Sequence, residues 1–168
     1  MIVEAMLPLL LEHGEMVTTR QIAEAAGIAE GTIFRVFTDK DELIAAVVDH
    51  ATDPSRVEQA FAAIDVDLPL EAATTEAVRI LQRRTLDIAR LMASVGPRHH
   101  RRGPIPERPG LVTLFTAHRA EITIDPAAAA RWLAALTMST SHPMIVSELL
   151  PPEQIATLFL HGVMERPC

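Results

Sequence analysis

Apolar side chains in residues 2–13 fall at Ile2, Ala5, Met6, Leu9 and Leu10, the i, i+3, i+4, i+7, i+8 stripe of an amphipathic helix. Gly14 stands where a left-handed cap would end it. Pro8 removes one backbone bond and costs roughly 3 kcal/mol unless the helix frays or starts late. Thr18 and Gln21 form a T-x-x-Q capping box ahead of Ile22, Ala23 and Ala26, and Gly27 closes that helix. A short helix follows from about Glu30 to Phe37, with Ile33 and Phe37 turned inward. Thr38 reads as the next N-cap, ahead of Asp39, Asp41 and Glu42 in a first turn where the helix dipole favours acids. Leu43, Ile44, Val47 and Val48 carry that helix onward.

Asp53-Pro54 interrupts the pattern, and a short helix is expected over 57–64. Residues 65–69 break it again. A long helix is expected from Glu71 to about Val95, with Val78, Leu81, Thr85, Ile88 and Met92 along one side. Residues 96–110 hold four prolines, three glycines, four arginines and two adjacent histidines, and read as irregular. Adjacent histidines lack the i, i+4 spacing of a helical metal site, so His99-His100-Arg101-Arg102 reads as a solvated basic loop and no metal is expected. A short helix is expected over 111–121. Asp125-Pro126 is an N-cap followed by proline at the first helical position. The helix it opens runs through Trp132, Leu133 and Leu136 and reaches Pro143 or beyond. Pro151-Pro152 starts the last helix, whose stripe is Ile155, Leu158, Phe159, Gly162 and Val163.

Composition agrees with an all-α fold: 25 alanines in 168 residues, no tyrosine, and no β-branched runs of period two. No apolar stretch is long enough for a membrane span, and no signal peptide is evident. Cys168 is the only cysteine, which excludes an internal disulfide framework, a thiolate zinc site and a buried cysteine nucleophile. A cytoplasmic location is expected. There is no Gly-rich phosphate loop, nucleophile elbow or His-x-x-x-His, so no enzyme and no cofactor is expected. Net charge is −7, and residues 1–50 set three basic side chains (Arg20, Arg35, Lys40) against nine acids. Charge alone does not advertise nucleic acid; a specific motif must carry any such claim.

Such a motif is present. Two helices joined by a tight turn at Gly27, after a first helix, make a helix-turn-helix. Ile22-Ala23-x-x-Ala26-Gly27-Ile28, Gly31-Thr32-Ile33-Phe34-x-x-Phe37 and Lys40-Asp41-x-Leu43 follow one another without a gap. This stretch resembles the DNA-binding region of the TetR family of bacterial transcription regulators, well over about residues 2–48 and loosely beyond. The resemblance implies a three-helix DNA-binding domain at 1–46 and a helical effector-binding and dimerisation domain at 47–168. It implies that Thr18, Thr19 and Arg20 meet one phosphate wall and that Lys40 clamps phosphate. Thr32 and Arg35 would face the major groove, Gly31 leaving room for the backbone to approach, and Ala29, Glu30 and Phe34 belong to the same DNA-binding stretch, Phe34 at a phosphate-contact position.

Four departures from the common pattern stand out. Ala29 replaces a serine cap worth about 1 kcal/mol, Phe34 replaces tyrosine, Val36 replaces a polar contact residue, and no basic arm precedes the first helix. DNA binding weaker or more salt-sensitive than a relative's is therefore expected, or a natural start upstream of Met1. A second reading stays open: a helical ligand-binding or protein-interaction module that does not read DNA.

For the C-terminal part the resemblance implies a homodimer through the last two helices and a small-molecule effector. Ala128, Ala135, Ser139, Ile155, Phe159, Gly162 and Val163 are the candidate interface. Leu81, Ile88, Met92, Phe115, His118, Trp132, Leu136 and Met138 are the candidate effector lining, suited to an apolar or aromatic ligand with one polar handle. The function implied is a repressor released from a palindromic double-stranded operator by that effector.

Overall fold

The computed structural model describes residues 1–96, 99 and 106–163. Among the described residues the regular structure is helical: α1 (Ile2–His13), α2 (Thr19–Ala26), α3 (Glu30–Val36), α4 (Lys40–Thr52), α5 (Ser55–Ala62), α6 (Leu70–Ser94), α7 (Pro109–Ala117), α8 (Pro126–Ser139) and α9 (Pro152–Val163). The described residues divide into two compact units, 1–53 with 87–96 and 99, and 54–86 with 106–163.

The first unit closes over Met6, Leu10, Val17, Ile22, Ile33, Leu43, Ile44, Val47, Val48, Leu91 and Val95, all buried. Pro8 does not fray α1, which is helical from Ile2 onward. Pro8 itself is exposed, while Met6 and Leu10 on either side are fully buried, so tertiary packing outweighs the lost bond. The capping box of α2 forms: the Thr18 N–H donates to Gln21 Oε1 at 2.8 Å, and the Gln21 N–H to Thr18 Oγ1 at 3.3 Å. Gly27 ends α2 with φ 66° and ψ 34°. The Ile28 N–H reaches Ala23 O at 3.0 Å and the Gly27 N–H reaches Glu24 O at 3.2 Å, a Schellman closure. Ile28 packs against the core, which fixes the direction of the chain into α3.

The N-cap of α4 is Asp39, one residue later than the pattern suggests for Thr38. Extended at Asp39, the chain lets Oδ1 accept the Glu42 N–H at 2.8 Å, and Glu42 Oε2 accepts the Thr38 N–H at 2.5 Å. Asp39 thus supplies the cap, and Glu42 reaches back one residue further, to the N–H before it.

The second unit packs α5, the first part of α6, α7, α8 and α9 around Phe61, Ala77, Val78, Leu81, Leu111, Leu114, Phe115, Leu133, Ile155 and Phe159. The Phe115 and Phe159 rings lie 5.7 Å apart, tilted by 49°, within the favoured range for aromatic pairs. Asp125 Oδ2 caps α8 by accepting the Ala127 and Ala128 N–H groups at 3.0 and 3.1 Å. That helix stops at Ser139, short of Pro143: the residues before a proline disfavour helix, and the Thr140 hydroxyl turns back to Leu136 O at 2.8 Å. The turn that follows is held by the Gln82 amide, which donates to Leu150 O at 2.9 Å. α7 starts at Pro109, and the last part of the expected helix is a 3-10 turn, Arg119–Glu121.

Candidate nucleic-acid interface

The helix-turn-helix is α2, the Gly27 turn and α3. Thr19 Oγ1 donates to Glu30 Oε1, which ties the start of α2 to the start of α3. Ile33 is buried and fixes the inner side of α3. Its outer side presents Ala29, Glu30, Gly31, Phe34, Arg35 and Val36, all exposed; Phe34 is 53% and Val36 59% accessible. A Cβ at Gly31 would meet nothing within 4 Å. Ala29 makes no side-chain cap, so the first N–H groups of α3 receive no side-chain acceptor from their cap position.

Thr18 and Arg20 are exposed, and Thr19, Thr32 and Lys40 are half-buried. Among the described residues neither Arg20 nor Arg35 makes an ion pair, so both guanidinium groups are available. Lys40 differs: its Nζ donates to the carbonyl of Glu15. An ammonium carries three donors, so one is committed within the protein. The outward side chain of Val36 is an exposed position of α3 beyond the candidates named from the motif. Its spacing gave no signal, because a three-residue offset from the buried Ile33 predicts the inner side; Val36 is exposed at the last position of α3.

His99 corrects the picture of a solvated basic loop. Its ring is buried, with Nε2 3.7 Å from Glu15 Oε1 and 4.0 Å from Asp41 Oδ1. Glu15 Oε1 also accepts the Gly96 N–H at 2.6 Å. The carboxylates draw the imidazole in, which composition alone did not reveal. His100, Arg101 and Arg102 lie outside the described residues. Among the described residues no group of three His, Cys, Asp or Glu side chains could hold a metal ion.

The candidate effector residues fall in both units. Ile88 and Met92 belong to the first, and Met92 packs against its core. In the second, Leu81 and Phe115 are buried, Leu136 is half-buried, and Trp132 and Met138 are exposed at 56% and 37%. His118 is buried; its Nδ1 lies 2.7 Å from Glu121 Oε1, and its Nε2 has no hydrogen-bond partner. A groove of about 420 Å³ in the second unit is walled by other residues, among them Arg108, Pro109, Val112, Ala130 and Arg131. Burial lowers the pKa of Arg108, and the Glu58 carboxylate offsets that in part. Of the candidate interface, Ala128 and Ala135 are half-buried, Ser139 and Gly162 exposed, and Ile155 and Phe159 buried in the core of their own unit. The Val163 side chain lies outside the described part.

Comparison with known proteins agrees with this geometry. Residues 2–47 match the family model "Bacterial regulatory proteins, tetR family". No curated protein matches the sequence significantly. Among solved structures, a Mesorhizobium loti protein assigned to the TetR-family transcriptional regulators superposes with TM-score 0.68 at 16% identity, over 98% of this chain and 95% of that one. A transcriptional regulator of Rhodococcus sp. gives 0.63 at 19% identity, over 99% and 97%. NalD of Pseudomonas aeruginosa, the secondary repressor of a multidrug efflux pump, gives 0.55 at 18% identity, over 97% and 95%. No helix among the described residues is long and apolar enough to cross a membrane. Residues 2–47 thus match the tetR-family model, and the chain shares the helical fold of solved TetR-family transcriptional regulators.

Proposed function

We propose that the protein is a cytoplasmic, homodimeric, DNA-binding transcriptional repressor, without enzymatic activity, released from a palindromic operator by a small-molecule effector. The observation that carries this reading is the outer side of α3: Gly31, Phe34 and Arg35 exposed on a short helix, held at a Schellman turn, within a tetR-family match. A dimer sets two copies of α3 in successive major grooves, with half-sites about one helical turn apart. The functional division falls near residue 46, with DNA reading before it and effector binding and dimerisation after it. Arg35 and Thr32 reach base edges or phosphate; Thr18, Thr19 and Arg20 meet the neighbouring backbone; Lys40 adds a phosphate contact with its remaining donors.

Exposed Trp132 on α8 and Leu158 on α9, at 56% and 53%, support a second copy covering these helices, with Ser139 and Gly162 beside them. The partnerless buried Nε2 of His118 supports a polar handle for an otherwise apolar or aromatic effector. NalD, a repressor by its description, supports repression as the mode of action.

Fluorescence anisotropy on duplex DNA from upstream of the protein's own gene, over a salt series, tests the reading. Affinity should fall linearly on logarithmic axes as salt rises, and Arg35→Ala should weaken binding and reduce the slope by about 1. Three basic residues against nine acids in residues 1–50 favour the second reading, a helical module that does not read DNA. Absence of binding at low salt, by wild type and variant alike, on both this DNA and a randomised duplex library would establish that alternative.

A further inference from the structure

We propose that the groove between the starts of α7 and α8 binds an organic monoanion: a carboxylate on an apolar body. The groove has a volume of about 420 Å³, within the range of small-molecule sites. Val112 and Ala130 give it an apolar wall; Arg108 and Arg131 bring two cations to it, Glu107 lies in its lining, and Glu58 stands behind Arg108.

Arg108 is the group that asks for an anion. Its side chain is 12% accessible, and its Nε is buried with no hydrogen-bond partner. The neighbouring carboxylate answers only in part. Glu58 Oε1 stands 3.9 Å from Arg108 Nη1, beyond hydrogen-bond length, and Glu58 Oε2 accepts the Gly110 N–H at 2.7 Å. A guanidinium so far out of water, with its fork unfilled, is stabilised by an incoming carboxylate, whose two oxygens match two parallel N–H donors. Arg131, exposed at the groove, supplies the second charge. Glu107 in the lining and Glu58 behind Arg108 both disfavour ligands with two or more negative charges, so the charge selected is one. Val112 and Ala130 have no use for a bare inorganic ion, and they select a ligand that carries carbon.

The groove lies wholly in the second unit, and its test needs no DNA. Failure here leaves the DNA-reading proposal standing, and the reverse also holds. Calorimetric titrations of the full chain would use octanoate and phenylacetate, each beside its neutral primary amide, and inorganic phosphate. At least one carboxylate should bind with Kd below about 1 mM, and its amide about tenfold more weakly. Arg131→Ala, at an exposed site that leaves the fold intact, should weaken the carboxylate about tenfold and leave the amide unchanged. Arg108→Gln should do the same; where it unfolds the chain, Arg131→Ala decides. Equal affinity for acid and amide, no saturation by either acid, or an indifferent Arg131→Ala variant overturns the anion site. Phosphate binding as tightly as the carboxylates overturns the apolar body.

Discussion

At Gly31 the stability of the fold and the proposed reading of DNA make opposite demands. It lies inside α3, has an ordinary helical backbone, and a Cβ there would meet nothing within 4 Å. Replacing it with alanine therefore adds no clash and removes the entropic cost of glycine in a helix, about 0.5–1 kcal/mol. For a chain of this size that raises the melting temperature by roughly 1–4 °C. On DNA the sign reverses. If the α3 backbone lies against the groove at Gly31, the added methyl is overpacked there, at a cost of about 1–3 kcal/mol, which lowers affinity roughly 5- to 150-fold. Circular-dichroism melts and anisotropy titrations on the same preparation measure both. A variant that melts higher but binds DNA like wild type refutes close backbone approach at this position. A variant that melts lower refutes the reading of Gly31 as an open helical site.

Four further outcomes follow from the same geometry. Asp39→Ala should cost about 1 kcal/mol in denaturant unfolding, as loss of an N-cap does, whereas exposed Thr38→Ala should stay within about 0.5 kcal/mol; equal losses would return the cap to Thr38. Ala29→Ser should supply the acceptor that α3 lacks and add about 0.5–1 kcal/mol of stability; an unchanged midpoint would mean that the serine hydroxyl does not reach the helix start. Exposed Phe34 suits the C5 methyl of thymine, so replacing half-site thymine by uracil should lower affinity about fourfold for the methyl it covers, and Phe34→Ala should abolish that difference; binding indifferent to uracil in the wild type removes Phe34 from the base-reading face. Phe115→Ala should destabilise the second unit by about 3–5 kcal/mol, because the ring is fully buried against Phe159; a loss below 1 kcal/mol would show that the core there collapses to refill the space.

The order of helices could be read from the chain because the stripes and the stop signals coincide. Thr18, Gln21 and Gly27 bracket α2 by local chemistry, and local chemistry is what a sequence displays. Thr38 was misplaced because two capping residues stand side by side, and only the extended backbone at Asp39 decides between them. Pro8 looked disruptive because the compensating burial of Met6 and Leu10 is tertiary. The motif also located the exposed side of α3, since a buried Ile33 leaves Gly31, Phe34 and Arg35 facing out. Partners beyond the next few residues stayed hidden. Nothing near Lys40 in sequence predicts the Glu15 carbonyl, and nothing near His99 predicts Glu15 and Asp41. The stripe of α6 gave one face from Val78 to Met92, yet Leu81 lies in one unit and Ile88 and Met92 in the other. Helical periodicity tells which side is apolar and is silent on what that side meets.

Leu91 and Val95 belong to the first core, although they lie far beyond the helices that make up the rest of it. During synthesis the helix-turn-helix is therefore exposed as a finished sequence before its packing is complete, and it waits for the end of α6 to emerge. A fragment cut after α4 would lack those two side chains and leave Met6, Leu10 and their neighbours partly uncovered. The smallest excised helix-turn-helix piece would have to carry the end of α6 as a tether or receive it in trans, and gene fusions built on a cut after α4 would start from an unfinished core.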